Sequence, residues 1–133
     1  MIEFDRMDTG HALLQVSING SDPRRFICDS GSGATLVFPS LAEELGLVPK
    51  SNGRRAGGIG GKSMELKTVN IESLAISGVE FSDRQISVLD LSHLNRQFTA
   101  VGEEPIEGII GAPWLIEHEV VLDEPANTMF AKP

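Results

Sequence analysis

The chain has 133 residues, 41% of them apolar, with 14 glycines and 7 prolines, the make-up of one turn-rich domain large enough to bury its own core. Its formal net charge of −8 argues against nucleic acid or an anionic membrane surface as partner, and no apolar run approaches the roughly 18 residues of a membrane-spanning helix. A single cysteine excludes an intrachain disulfide and a cysteine-based metal cluster. Location stays open between the cytoplasm and export with a signal or anchor removed.

Met1–Gly10 reads as a polar, irregular arm ahead of one domain spanning 11–133. Leu14, Val16 and Ile18 alternate and predict a strand, and the turn cluster Asn19-Gly20-Ser21-Asp22-Pro23 returns Arg24–Asp29 antiparallel to it. Pro39–Gly46 predicts a short helix, with Ser40 and Glu43 as a capping box and Gly46 as its stop. Val48–Arg55 reads as polar loop. From Met64 to Phe81 the alternation resumes as a β-meander, with Ser77-Gly78 as a turn, and Ile86–Leu89 adds a strand. Asp90–Gln97 reads as a helical turn, Thr99–Pro105 as loop, and Ile106–Gly111 as an apolar segment broken by glycines. Pro113–His118 predicts a short helix with proline at its start, and Val120–Asp123 with Thr128–Ala131 a closing hairpin.

The chemistry centres on Arg25–Thr35. The apolar run Phe26-Ile27-Cys28 reads as a buried strand that delivers Asp29 into a turn of Ser30, Gly31, Ser32 and Gly33. A carboxylate there loses solvation unless donors surround it. The backbone N–H groups of the turn and the hydroxyls of Ser30, Ser32 and Thr35 are at hand. Taken alone, the triplet equally fits a β-turn with an Asx-type cap.

Other polar residues carry less. Cys28 points away from Asp29 on the strand and reads as a packed core thiol. His11, His93 and His118 lack ligand spacing, so no metal or other cofactor is expected, and Glu117-His118-Glu119 reads as a solvated helix end. Asp123 pairing with Asp29 as a glycosidase couple is disfavoured for want of sugar-binding aromatics. Ala56–Ser63 has two readings. One is a degenerate phosphate-binding loop ending Gly61-Lys62-Ser63, which needs a buried strand before it and a helix after it. The other is a glycine-rich hairpin tip that opens and closes as a lid.

Three stretches, in this order, resemble the retropepsin-like aspartic proteases. Asp29-Ser30-Gly31, followed by small residues and Leu36-Val37, resembles their Asp-Ser/Thr-Gly signature. Gly57-Gly58-Ile59-Gly60-Gly61 is similar to their flap tip. Gly108-Ile109-Ile110-Gly111, with Trp114 and Leu115 behind it, is similar to the apolar element that crosses beneath the catalytic turn and leads into a short helix. The likeness runs from about residue 11 to 131 and is nearest to single-domain bacterial members. Two departures stand out. Ala112-Pro113 replaces a polar or charged residue found after the glycine in some relatives, and the chain has no tyrosine, so a pepsin-type flap tyrosine is missing.

The resemblance implies a mostly-β closed-barrel protomer with one or two short helices, forming a two-fold dimer. It implies hydrolysis of a peptide or protein substrate by Asp29 paired with Asp29 of a second copy. Ser30, Gly31, Ser32 and Thr35 would support the acids, Gly57–Gly61 would cover the substrate, and Ile109, Ile110 and Gly111 would pack beneath. The competing readings are a dimeric peptide-binding module of the same fold without turnover, and a nucleotide binder through Ala56–Ser63.

Overall fold

The computed structural model describes residues 1–57 and 63–133. Strands β1 (Ile2–Glu3) and β2 (Asp5–Arg6) precede the hairpin of β3 (Ala12–Ile18) and β4 (Arg24–Asp29). Asn19 and Gly20 both take positive φ, 52° and 75°, as the tight turn after β3 requires. Leu14, Val16 and Ile18 are fully buried on one face of β3, the alternation expected of it.

The topology turns on β5 (Leu36–Val37) and β11 (Gly108–Gly111). β11 runs parallel to β4 on one side and antiparallel to β5 on the other. It is therefore inserted between two strands that are neighbours in sequence, and the turn joining β4 to β5 arches past its end. The sheet continues outward from β5 through β10 (Gln85–Val88), β7 (Ser63–Asn70) and β6 (Lys50–Gly57), and from β3 through β8 (Leu74–Ile76) to β9 (Val79–Phe81).

This insertion explains why Phe26-Ile27-Cys28 and Ile109-Ile110 are apolar without a break. Successive side chains of a strand point to opposite faces, and here both faces are covered. Phe26, Val37 and Ile110 enter one apolar cluster with Leu14, Leu41 and Trp114. Ile27, Leu36 and Ile109 enter a second with Leu13, Phe38 and Phe98. A strand buried on both sides reads as a continuous apolar run.

The connections depart from expectation in four places. Residues 50–57 form β6, pairing antiparallel with β7 through an irregular register between Ser51 and Arg54; backbone pairing at the end of the sheet suffices for so polar a strand. The first ten residues hold β1 and β2, and Ile2, Phe4 and Met7 are buried. β1 pairs with β13 (Thr128–Phe130), which pairs with β12 (Val121–Asp123) in a separate three-stranded sheet. In α1 (Pro39–Glu44) the N-cap is Phe38 with no side-chain cap. Pro39 opens the helix, so Ser40 already lies inside it and forms no capping box. Gly46 does end it, at φ +70°, its N–H reaching the Glu43 carbonyl at 3.1 Å. Finally, α2 (Ser92–Ala100) has nine residues rather than one turn, and its Asn95 side chain both donates to and accepts from the backbone of Ile106. α3 (Ala112–Glu117) follows β11 directly.

Candidate active site

Asp29 is the last residue of β4, half-buried and in register with Gly111 of β11. Its Oδ1 accepts the Gly31 N–H at 2.9 Å and its carbonyl accepts the Ser32 N–H at 3.0 Å. A Cβ on Gly31 would lie 3.2 Å from that carboxylate oxygen, a tight contact. Ser30 and Gly31 are exposed on the rim of the turn.

The hydroxyls expected around the carboxylate do other work. Thr35 Oγ1 accepts the Gly111 N–H at 3.0 Å, and Ser32 Oγ donates to the Ala34 carbonyl at 2.7 Å. The Ser32 carbonyl accepts the Ala112 N–H at 2.9 Å. These bonds bind the turn to the end of β11 and leave the carboxylate to a backbone donor. β11 ends with N–H groups that need partners, and Thr35 Oγ1 and the Ser32 carbonyl accept them.

Two glycines make the crossing possible. A Cβ on Gly111 would stand 2.2 Å from the Ala34 carbonyl oxygen, and one on Gly108 would stand 2.3 Å from the Phe26 ring and 2.6 Å from the Leu36 carbonyl oxygen. Between them, Ile109 and Ile110 face the two opposite apolar clusters. Of the expected lid, Gly57 is the last residue of β6, while Gly58, Ile59, Gly60 and Gly61 lie outside the described residues. β7, a strand, follows that stretch where a phosphate-binding loop needs a helix.

Cys28 is half-buried against the larger cluster, as expected of a packed thiol, yet it also lines a hollow shared with Asp29, His11, Ser30 and Glu124. Desolvation first, then the charges of Glu124 and Asp29, push its pKa up to about 11. The same hollow touches Thr9 and Gly10, part of a second Asp-Thr-Gly triplet, Asp8-Thr9-Gly10, which the sequence reading passed over. The structure separates the two triplets. Asp8 is exposed in the hairpin loop between β2 and β3, where the Gly10 N–H returns to the Met7 carbonyl at 2.8 Å. The signal that distinguishes Asp29 is the apolar strand before it; Asp8 follows Asp5-Arg6-Met7.

Asp123, His11 and His118 each have partners of their own. Asp123 is exposed and accepts the Ala126 N–H of its own turn at 3.1 Å. His11 bonds to Thr9 through Nδ1 at 2.8 Å. His118 is not part of a solvated helix end. It is 5% exposed, with Nδ1 on the Lys132 carbonyl at 2.7 Å and Nε2 3.3 Å from Asp83 Oδ1, while Glu117 and Glu119 beside it are exposed. Phe81 stacks edge-on against both Trp114 and His118.

A single acid fixed at a strand end, a glycine-dependent crossing beneath it and a helix directly behind define a retropepsin-like protomer. The family model for aspartyl proteases matches residues 14–114, and the chain belongs to that family. Solved structures agree on the fold. A retropepsin-like aspartic protease from Rickettsia conorii superposes with TM-score 0.56 at 18% identity, over 92% of this chain and 82% of that one. The retroviral protease-like domain of Ddi1 from Leishmania major gives 0.60 at 14%, over 98% and 89%. EIAV protease, complexed with the inhibitor HBY-793, gives 0.58 at 16%, over 90% and 93%. No curated protein matches the chain by sequence. Among the described residues no helix is long and apolar enough to cross a membrane.

Proposed function

We propose that the protein is an aspartic endopeptidase whose active form is a two-fold dimer, with Asp29 of each copy facing the other. The observation that carries this reading is the placement of Asp29: a half-buried carboxylate with one oxygen fixed by the Gly31 N–H, above a crossing that two glycines hold close. Peptide hydrolysis by carboxylates alone needs two of them, one to take a proton from water and one to polarise the carbonyl. Each chain offers one acid in this setting, and a symmetric pair supplies the second. Like charges brought together share one proton, so the titration belongs to the pair. The ionised member activates the water while the protonated member donates to the scissile carbonyl oxygen. Exposed Ser30 and Gly31 form the rim that the second copy and an extended peptide would meet.

The test is hydrolysis of a mixed peptide library by the wild type and by Asp29→Asn, with thermal midpoints beside the rates. Asparagine keeps the shape but neither takes nor shares the proton, so turnover should fall by about a hundred- to ten-thousand-fold or more while the midpoint holds. Activity per chain should also fall on dilution as dimers dissociate. Full activity in Asp29→Asn refutes the reading, and peptide binding without turnover in the wild type makes the protein a binding module of the same fold.

A further inference from the structure

We infer that Asp83, Glu117 and His118 form a site for one divalent transition-metal ion of the zinc class, at the open end of α3. None of the three residues belongs to the Asp29 turn, although the cleft beside them also touches Gly33, Ala34 and Thr35 of that turn.

Among the described residues these three are the group whose potential ligand atoms all lie within 4.8 Å of one another. They come from two distant places, the connection between β9 and β10 and the end of α3. The decisive feature is how His118 is wired. Its Nδ1 lies 2.7 Å from the Lys132 carbonyl oxygen, which only accepts, so Nδ1 carries the hydrogen. Its Nε2 faces Asp83 Oδ1, 3.3 Å away. A ring nitrogen and a carboxylate oxygen facing one another in a buried place are bridged by a proton or by a metal.

Three observations favour the metal. A histidine that donates its other ring N–H to a backbone carbonyl is arranged as metal-ligating histidines are, with tautomer and ring fixed. The second Asp83 oxygen is likewise held, accepting Trp114 Nε1–H at 3.0 Å, so the oxygen left over is aimed at Nε2. A tetrahedral zinc with bonds of about 2.0–2.1 Å also separates neighbouring ligand atoms by roughly 3.3–3.4 Å, the spacing found. A charged N–H to carboxylate bond closes to about 2.7–2.9 Å when nothing hinders it.

Glu117 supplies the third ligand and the way in. It is exposed, with no ion-pair partner among the described residues, and it shares with Asp83 and Trp114 the wall of an open cleft of about 460 Å³. A rotamer change of an exposed side chain brings its carboxylate onto the ion at little cost. A water from the cleft would take the fourth position. The ion so held would pin the end of α3 to the β9–β10 connection, giving a stability that depends on metal supply.

The experiment is calorimetric titration of the metal-free wild type with zinc, paired with thermal midpoints and with the visible spectrum of the cobalt-loaded protein. Expected are one ion per chain, a midpoint raised by several degrees and a tetrahedral cobalt band. Glu117→Gln changes one exposed atom and should fold normally, yet weaken zinc binding by about tenfold or more. Asp83→Asn keeps the bond to Trp114 and should abolish the cobalt band. No binding at millimolar zinc, or binding undiminished in Glu117→Gln, overturns the site and leaves a proton alone between Asp83 and His118.

Discussion

The end of β11 and the helix that follows it are held by opposite means. At the Asp29 end of β11 the contacts are made by what the chain lacks: Gly111 has no side chain, and the backbone of Ser32 and Ala34 closes onto it. Just beyond, α3 is held by what the chain adds: an indole N–H, a carboxylate and an imidazole bonded in series, buried beneath Phe81. The first arrangement is stiff because backbone cannot move aside. The second is specific because every polar atom in it depends on its neighbour. A site that must hold a carboxylate to fractions of an ångström gains from the first kind of anchor, and a helix that must be placed against a sheet gains from the second.

The sharpest way to break the comparison is at its polar side. His118→Leu fills the volume but leaves Asp83 buried with only Trp114 as partner. Leaving the Asp83 oxygen and the Lys132 carbonyl without their partners costs about 1–3 kcal/mol for each, and urea unfolding should show a loss approaching the sum. None of these side-chain bonds reaches the Asp29 turn, so rates per folded molecule should stay near wild type. A loss of turnover without a loss of stability would show that the two regions are coupled.

Gly111→Ala tests the other side with a smaller stability effect and a larger effect on rate. Its Cβ would meet the Ala34 carbonyl oxygen at 2.2 Å and the Ser32 carbonyl oxygen at 2.9 Å, so the turn must shift. Overpacking of this kind costs about 1–3 kcal/mol, with the upper end expected because both neighbours are backbone. Displacing the turn by about 1 Å is worth about a hundredfold in rate. A variant as stable and as active as wild type would mean that the close crossing is not what fixes Asp29.

The same contrast explains what could be seen in advance. The β4–turn–β5 segment and the Gly-Ile-Ile-Gly strand were legible because their information is contiguous: an apolar run, an acid, glycines at fixed places. Even there the partners of Ser32 and Thr35 were misassigned, since nothing local says that β11 will present its N–H groups to them. Asp8-Thr9-Gly10 warns in the other direction, because the same triplet in an exposed hairpin loop is only a turn. β6 escaped notice because Lys50–Gly57 carries no alternation, and its register with β7 shifts between Ser51 and Arg54. His118 escaped because its partners lie 35 and 14 residues away, beyond any spacing rule. Helical position alone made it the end of a solvated helix, and the three-dimensional fold made it a core residue.

Cys28 offers the smallest effect and a probe of how closed the floor of the catalytic turn is. Its thiol sits one residue before Asp29, against the larger apolar cluster, with its pKa raised from 9.0 to about 11 by desolvation and by the charges of Glu124 and Asp29. Below pH 9 the thiol is protonated in both folded and unfolded chains, and its contribution to stability is whole. As pH rises from 9 toward 11 the unfolded chain ionises while the folded one does not, so stability is lost across that window. The thiol is only partly shielded, and after allowing for solvent screening the loss amounts to about 1–2 kcal/mol. Cys28→Ser removes the titration, and its urea midpoint should fall less steeply between pH 8 and 11 than that of wild type. Alkylation of Cys28 in the folded protein should correspondingly be slow at neutral pH, since the thiolate is the nucleophile. Parallel alkaline profiles for the two proteins, or fast alkylation near pH 7, would show that water reaches the end of β4, and with it the oxygen of Asp29 that Gly31 holds.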